Sequence, residues 1–194
     1  MNKILVLTGF LFLVACGGKD EKAAVADTTP KTLAASAHSD SFNLAFGKLL
    51  DHYFELKDQF IAENDTLIAQ KSVALISDVA EAAVEFKDLK NDSTVASTAR
   101  SYAVSISSEL KSIVSETDRE ERRKSFQTVS EQMYDLIRTV KYDRTIVYHQ
   151  YCPMAFNDAG AFWLSNSSDI RNPYLPKKML TCGEVKDSLD FRKF

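Results

Sequence analysis

The chain has 194 residues, with 24 Lys and Arg against 27 Asp and Glu, a net charge of −3 and 45% hydrophobic residues. That length and balance suit one domain plus a tether. No basic patch interleaved with aromatics occurs, which argues against nucleic acid as a partner.

The N-terminus reads "MNKILVLTGFLFLVACGGKDEK". Lys3 gives a short basic start, and residues 4–15 are apolar but too few to span a bilayer as a mature helix. "LVAC", Leu13 to Cys16, resembles a bacterial lipobox. The resemblance implies cleavage before Cys16, lipidation of its thiol and three acyl chains; more than one chain anchors stably. The alternative is an ordinary secretory signal with a coincidental Cys16. Gly17 rather than Asp follows the cysteine, so the usual inner-membrane retention signal is absent and the outer membrane is the expected address. Residues 1–15 are then signal peptide and 16–38 a lipidated flexible tether, small, polar and without aromatics. An envelope compartment is oxidising, so Cys152 and Cys182 can pair there.

Four amphipathic segments follow, over residues 39–143. Phe42, Phe46, Leu49, Tyr53, Leu56 and Phe60 recur at spacings of four and three, one helical face close to a bundle seam, with Ser41 or Asp40 as cap. The second stripe is Ile68, Leu75, Val79, Ala83 and Phe86, capped by Asn64 or Asp65. The third, after the turn "NDST", is Val95, Ala99, Tyr102, Ile106, Leu110 and Ile113. "TDRE", from Thr117 to Glu120, reads as a capping box before Phe126, Val129, Met133, Leu136 or Ile137, and Val140. No Pro interrupts these segments and their connections are short, which predicts an all-α, antiparallel four-helix bundle. His52 and Glu55 lie one turn apart, but no Glu-x-x-His on another helix completes a di-metal site, so His52 reads as solvated or interfacial.

Past Tyr142 the period changes. The fourth helix is expected to run slightly beyond Lys141. Residues 144–194 are expected to form an irregular cap on one end or flank of the bundle, with short β strands or one hairpin. Residues 157–160 are turn chemistry, Asn172-Pro173 and Leu175-Pro176 force extended geometry on the residue before each proline, and the tail from Glu184 reads as a short terminal helix.

"YCPMA", "GAFWLS", "IRNPY" and "MLTCGEV", in that order and spacing over residues 151–185, resemble an uncharacterised envelope domain of Gram-negative bacteria. That domain occurs as stand-alone lipoproteins and fused to periplasmic adaptor subunits of heavy-metal, copper-type resistance-nodulation-division efflux pumps. The resemblance covers roughly residues 42–186, including "LLDHYFELKDQFIAEN" followed by "DTLIA" in the first two helices. Pro176 stands where the family usually has Gly, so the turn over residues 172–178 is expected to differ. What the resemblance implies is an association with metal efflux, with an efflux-pump adaptor or another metal-handling protein as partner.

The residues carry a chemistry of their own. Residues 151–185 hold two of three cysteines, two of four methionines, the only tryptophan and three of four prolines. Thiolate and thioether are soft donors that select Cu(I) over hard cations. Cys152 and Met154 share a side of an extended segment, and Met179 and Cys182 share a face of one helical turn. A fold that joins the two segments surrounds one point with four sulfurs. His149 is a fifth donor candidate, and Trp163 a ring to cover the bound cation. The other reading is structural: a Cys152–Cys182 disulfide, worth about 3–4 kcal/mol as a loop closure, with both methionines as filler. A Cys152–His149 nucleophile lacks any marked orienting group or oxyanion hole, so no enzyme is expected. The leading expectation is a non-enzymatic, outer-membrane-anchored lipoprotein that handles a soft metal such as Cu(I). The alternative is an interaction lipoprotein with a disulfide-stapled cap.

Overall fold

A computed structural model describes residues 33–89 and 93–194. Cys16, the signal peptide and most of the tether lie outside the described residues. Four long helices come first: α1 (Asp40–Ala62), α2 (Asp65–Glu85), α3 (Ser93–Ser115) and α4 (Arg119–Val140). Three strands follow: β1 (Val147–Cys152), β2 (Ala161–Ser165) and β3 (Glu184–Leu189).

Each helix end has a local cause. Ser39, not Ser41 or Asp40, caps α1 by accepting the Phe42 N–H, leaving Asp40 as the first-turn acid. Glu63 closes α1 in the left-handed region (φ 52°), and Asn64 at once caps α2, as its sequence position suggested. The expected Thr117 capping box does not form. Asp118 accepts the Glu120 and Glu121 N–H groups at 2.8 and 3.0 Å, while Glu116 accepts those of Thr117 and Asp118. Ionised carboxylates accept more strongly than a hydroxyl and also suit the positive end of the helix. α4 stops at Val140, earlier than expected, because Lys141 turns left-handed (φ 55°) and Asp143 is engaged elsewhere.

The stripes are the core. All six α1 stripe residues are at most 2% exposed, and Leu75, Ile106, Leu110, Phe126, Val129, Met133 and Leu136 are fully buried. Ala83, Val95 and Tyr102 sit at the margin, partly buried. The tightest helix neighbours are consecutive: α1 with α2, α2 with α3, α3 with α4. Between α1 and α4 large rings fill the gap, Phe60 and Tyr53 stacking on Phe126 at 4.5 and 5.5 Å.

The strands form one antiparallel sheet, ordered β2-β1-β3. The tail expected to be helical is β3. It is exposed up to Leu189, so it has no apolar face to bury, and what it gains is pairing with the open edge of β1. The cap sits on the α1–α4 flank, and one buried side chain pins it there. The Leu164 N–H donates to Tyr53 Oη (3.1 Å), whose own proton goes to Ser130 Oγ on α4 (2.6 Å). Ser130 spends its proton on the Phe126 carbonyl, which fixes the direction of the chain of bonds.

The tether ends sooner than expected. Ser36 Oγ and the Ala37 N–H donate to the Asp143 carboxylate at 2.6 and 2.9 Å, Arg144 donates to the Ala34 carbonyl, and the Ala34 N–H donates to the Lys193 carbonyl. Burial raises the Asp143 carboxyl, but the bonds from Ser36, Ala37 and Arg144 outweigh it and hold the group below the usual range. Residues 33–38 are thus part of the folded domain. Among the described residues no helix is long and apolar enough to cross a membrane.

Candidate functional site

Cross-strand register sorts the cap residues by face. Cys152 pairs with Ala161 and Gln150 with Trp163, so these four share one side of the sheet. Residues 166–183 cover that side: Gln150 Nε2 donates to the Ser167 and Asp169 carbonyls, and Tyr174 meets Trp163 edge-on. His149 falls on the opposite side, toward α4. There it stacks between Tyr134 and Phe162, with ring centroids 4.0 and 4.5 Å away. Burial lowers its pKa below the ordinary 6.5. A spacing of three along a strand separates His149 from the face of Cys152, so the fifth-donor role is corrected.

Two devices bring the second cysteine to the first. Asn172, fully buried, accepts the Tyr174 and Leu175 N–H groups across Pro173, and its amide donates to the Cys182 carbonyl (3.2 Å). Its backbone N–H also donates to the Leu180 carbonyl. Gly183 then allows close approach. A Cβ there would lie 2.8 Å from the Tyr151 carbonyl oxygen and 2.9 Å from Trp163 Cη2, at a φ of +143° that L side chains rarely adopt.

The result is a thiol pair. Cys152 and Cys182 are free cysteines, not a disulfide, on segments that the seating of Gly183 against the Tyr151 carbonyl holds side by side. Burial pushes the Cys182 thiol up, the neighbouring Cys152 adds to the rise, and the Met154 amide offsets part of it. Cys152 is 0% exposed and Cys182 half-buried. The Cys182 N–H donates to the Met179 carbonyl, which ties the second methionine to the same turn. Trp163 is also 0% exposed and lies under Gly183, as a floor to the Cys182 segment rather than an exposed cover.

Met154 and Met179 line one open cleft of about 530 Å³, together with Phe156, Tyr174 and Leu175. The wall after Met154 is unusual backbone: Phe156, Asn157 and Asp158 are consecutive left-handed residues, with φ of 51°, 56° and 66°. Each such residue costs about 1–2 kcal/mol, and Phe has no local compensation of the Asn or Asp kind. The far wall is charged. Glu63 bridges Arg123 (2.8 Å) and Lys177, and those bonds, led by Lys177, hold its carboxyl low despite burial.

Sequence reasoning named the four sulfur residues and missed their positioning. Asn172-Pro173 was visible as a turn but not as a side-chain clamp, and Gly183 had its signal only in its place beside Cys182. His52 Nδ1 meets buried Asp78 at 2.5 Å, which ties α1 to α2 and leaves it interfacial. No cluster of three or more His, Cys, Asp or Glu fit to hold a metal occurs among the described residues.

The model of one protein family, described as a protein of unknown function (DUF3347), matches residues 49–145. The chain belongs to this family. The matched span runs from the middle of α1 through α4 and ends before β1, so the thiol pair and both methionines lie beyond it. No curated protein and no solved structure matches the chain.

Proposed function

We propose that this DUF3347 protein is a lipid-anchored envelope protein that binds Cu(I) as cargo, with no chemical turnover. Cys152 and Cys182 are the main donors, and Met154 and Met179 are thioether donors beside them. The observation that carries the reading is a pair of free cysteines on segments held side by side by Gly183, with Met154 and Met179, two and three residues from them in the chain, lining one cleft. The donor set is soft, and soft donors favour Cu(I) over hard cations. The Asn172 clamp and the Gly183 approach fix the thiols before any metal arrives, which reduces the ordering cost of binding. The lipobox resemblance of "LVAC" supports the outer-membrane anchor, and the resemblance to domains of copper-type efflux adaptors supports a partner in metal export.

The test is a competition titration of reduced protein against a Cu(I) chelator. The wild type is expected to bind at least tenfold more tightly than Cys152→Ser. Equal binding would sink the reading. Mass spectrometry of the membrane-bound form checks the anchor: an acylated Cys16 as first residue is expected, and an intact N-terminal signal would refute it.

The side-by-side placement of the Cys152 and Cys182 segments favours one second reading, a disulfide-stapled docking cap. Exchange with an oxidised dithiol donor would join Cys152 Sγ to Cys182 Sγ, with the two thiol protons ending on the donor's sulfurs. A thiol count on protein purified from the envelope separates the two: two free thiols support metal binding, and none supports the staple.

A further inference from the structure

The cap sits on the α1–α4 flank, and α2 with α3 forms the other side of the bundle. Between α2 and α3 runs an open groove of about 590 Å³. Buried Val79 and Ala103 floor it, and the short side chains of Ala80 and Ala83 keep it open. The core uses one apolar stripe of α2, through Ile68, Leu75 and Val79. The helix carries a second. Val73, Ala80 and Val84, spaced by seven and four, share a face beside the groove, and Val73 and Val84 are 56% and 59% exposed. Across from them, Val104 of α3 is 71% exposed. The charges of this flank are one-sided. Arg100 and Lys111 of α3 line the groove, both exposed, and among the described residues neither is paired with a carboxylate and no acid lines the groove. Asp78, Glu81 and Glu85 of α2 are all turned to α1: Asp78 to His52 and Lys48, Glu81 to Lys48, and Glu85 to Ser41. On a chain of net charge −3, this flank is a local cationic exception.

We infer that this groove docks an amphipathic helix of a partner protein, laid apolar face down, with two carboxylates about three turns apart that meet Arg100 and Lys111. The dimensions fit. Eleven residues separate the two cations along α3, about 16 Å at 1.5 Å per residue, which is also the spacing of two residues on one face of a docked helix. The division of labour is that of helix-in-groove recognition: apolar anchors supply the buried area, and the flanking charges set register and select the partner. A second copy of this chain is a poor occupant. A two-fold contact through this face sets the same cations against one another, and no acid lines the groove among the described residues to answer them. A concave channel also suits a cylinder better than a flat bilayer. The inference stands apart from the copper reading, because no cysteine or methionine lines the groove among the described residues.

Fluorescence anisotropy with labelled synthetic peptides tests this on the protein as purified from the envelope. The probe is a helical peptide of about 18 residues, about five turns, with leucines along one face and two glutamates three turns apart. One control peptide has lysines in place of the glutamates, and another has serines in place of the leucines. Wild type is expected to bind the probe about tenfold more tightly than either control. Arg100→Glu with Lys111→Glu changes two exposed side chains, and unchanged circular dichroism confirms the fold. This variant is expected to reverse the choice and prefer the lysine peptide by about the same factor. Equal binding of the probe and the lysine peptide by wild type, or a preference that the charge reversal leaves unchanged, would overturn the inference. So would equal binding of the serine peptide, which would leave two cations and no role for the groove. The other occupants have their own signatures, and each would overturn it too. A dimer in sedimentation velocity that Val104→Glu dissociates would put a second copy in the groove. A preference for phosphatidylglycerol over phosphatidylcholine vesicles that the charge reversal abolishes, with no preference among the peptides, would put a membrane there.

Discussion

Tyr53→Phe removes a single oxygen, and the structure makes that oxygen the pin between bundle and cap. It accepts the Leu164 N–H of β2 and donates to Ser130 of α4, in full burial. Deletion leaves the Leu164 amide without an acceptor in a dry place, which costs about 1–3 kcal/mol. The Ser130 bond adds about 1 kcal/mol, and relief of the buried hydroxyl's desolvation offsets part of the total. The net expectation is a loss of about 2–3 kcal/mol, or about 4–12 °C in Tm for a domain of this size. Ser130 itself keeps its bond to the Phe126 carbonyl, so the bundle side loses little. The damage should fall on the cap.

Two measurements read this out. Urea denaturation gives the total change, and amide hydrogen exchange locates it. Protection at Leu164 and its strand neighbours should drop well before protection along α2 and α3, because local opening follows the weakest attachment. A stability change within about 0.5 kcal/mol, the range of an ordinary surface substitution, would refute the pin. So would unchanged protection at Leu164, because the amide would then have another acceptor.

The bundle was legible because its signal is local and repeated. The four-three spacing from Phe42 to Phe60 leaves one face to bury, and all six side chains are buried. Asn64 was legible only as one of two candidates, beside Asp65, because the α1–α2 turn Glu63-Asn64-Asp65-Thr66 is polar throughout, and the cap fell to Asn64. Asp118 was missed because Thr117 satisfies the capping-box spelling, whereas the outcome turned on a carboxylate being the better acceptor. β3 was missed because its pairing energy comes from an edge of β1 that lies more than 30 residues earlier in the chain. The four sulfur residues stood out as a cluster of rare types; the structure places Met154 and Met179 on one cleft and leaves Cys152 and Cys182 as free cysteines on segments joined through Gly183. His149 was within reach of better reasoning, because strand parity alone separates it from Cys152. The Glu63–Arg123–Lys177 wall was out of reach, because its members come from the α1 terminus, α4 and the loop after β2.

Two further outcomes test the cap. His149, stacked between Tyr134 and Phe162, has its pKa lowered by burial, against the pull of Asp187 and Asp135 and with the help of Arg138. The unfolded chain takes up the proton as pH falls through 6.5, while the fold takes it up only lower. Its contribution is therefore complete above that value and is lost as pH falls from there toward the folded pKa. His149→Phe keeps the stack, so between pH 7.5 and 5.5 the wild type should lose stability faster than the variant, and parallel curves would refute the burial. The second outcome is Gly183→Ala. The new methyl meets a backbone oxygen at 2.8 Å and a fully buried indole at 2.9 Å, and neither can yield. The φ of +143° adds about 1–3 kcal/mol of backbone strain for an L residue. The cheapest relief is to lift the Cys182 segment away from β1, which parts the two thiols. Stability should therefore fall by at least that strain, and Cys182 should react faster with a thiol reagent, because it loses its cover. The diagnostic result is the combination: lower stability with unchanged Cys182 reactivity would mean that the chain yields elsewhere, and that Gly183 does not hold the thiol pair together.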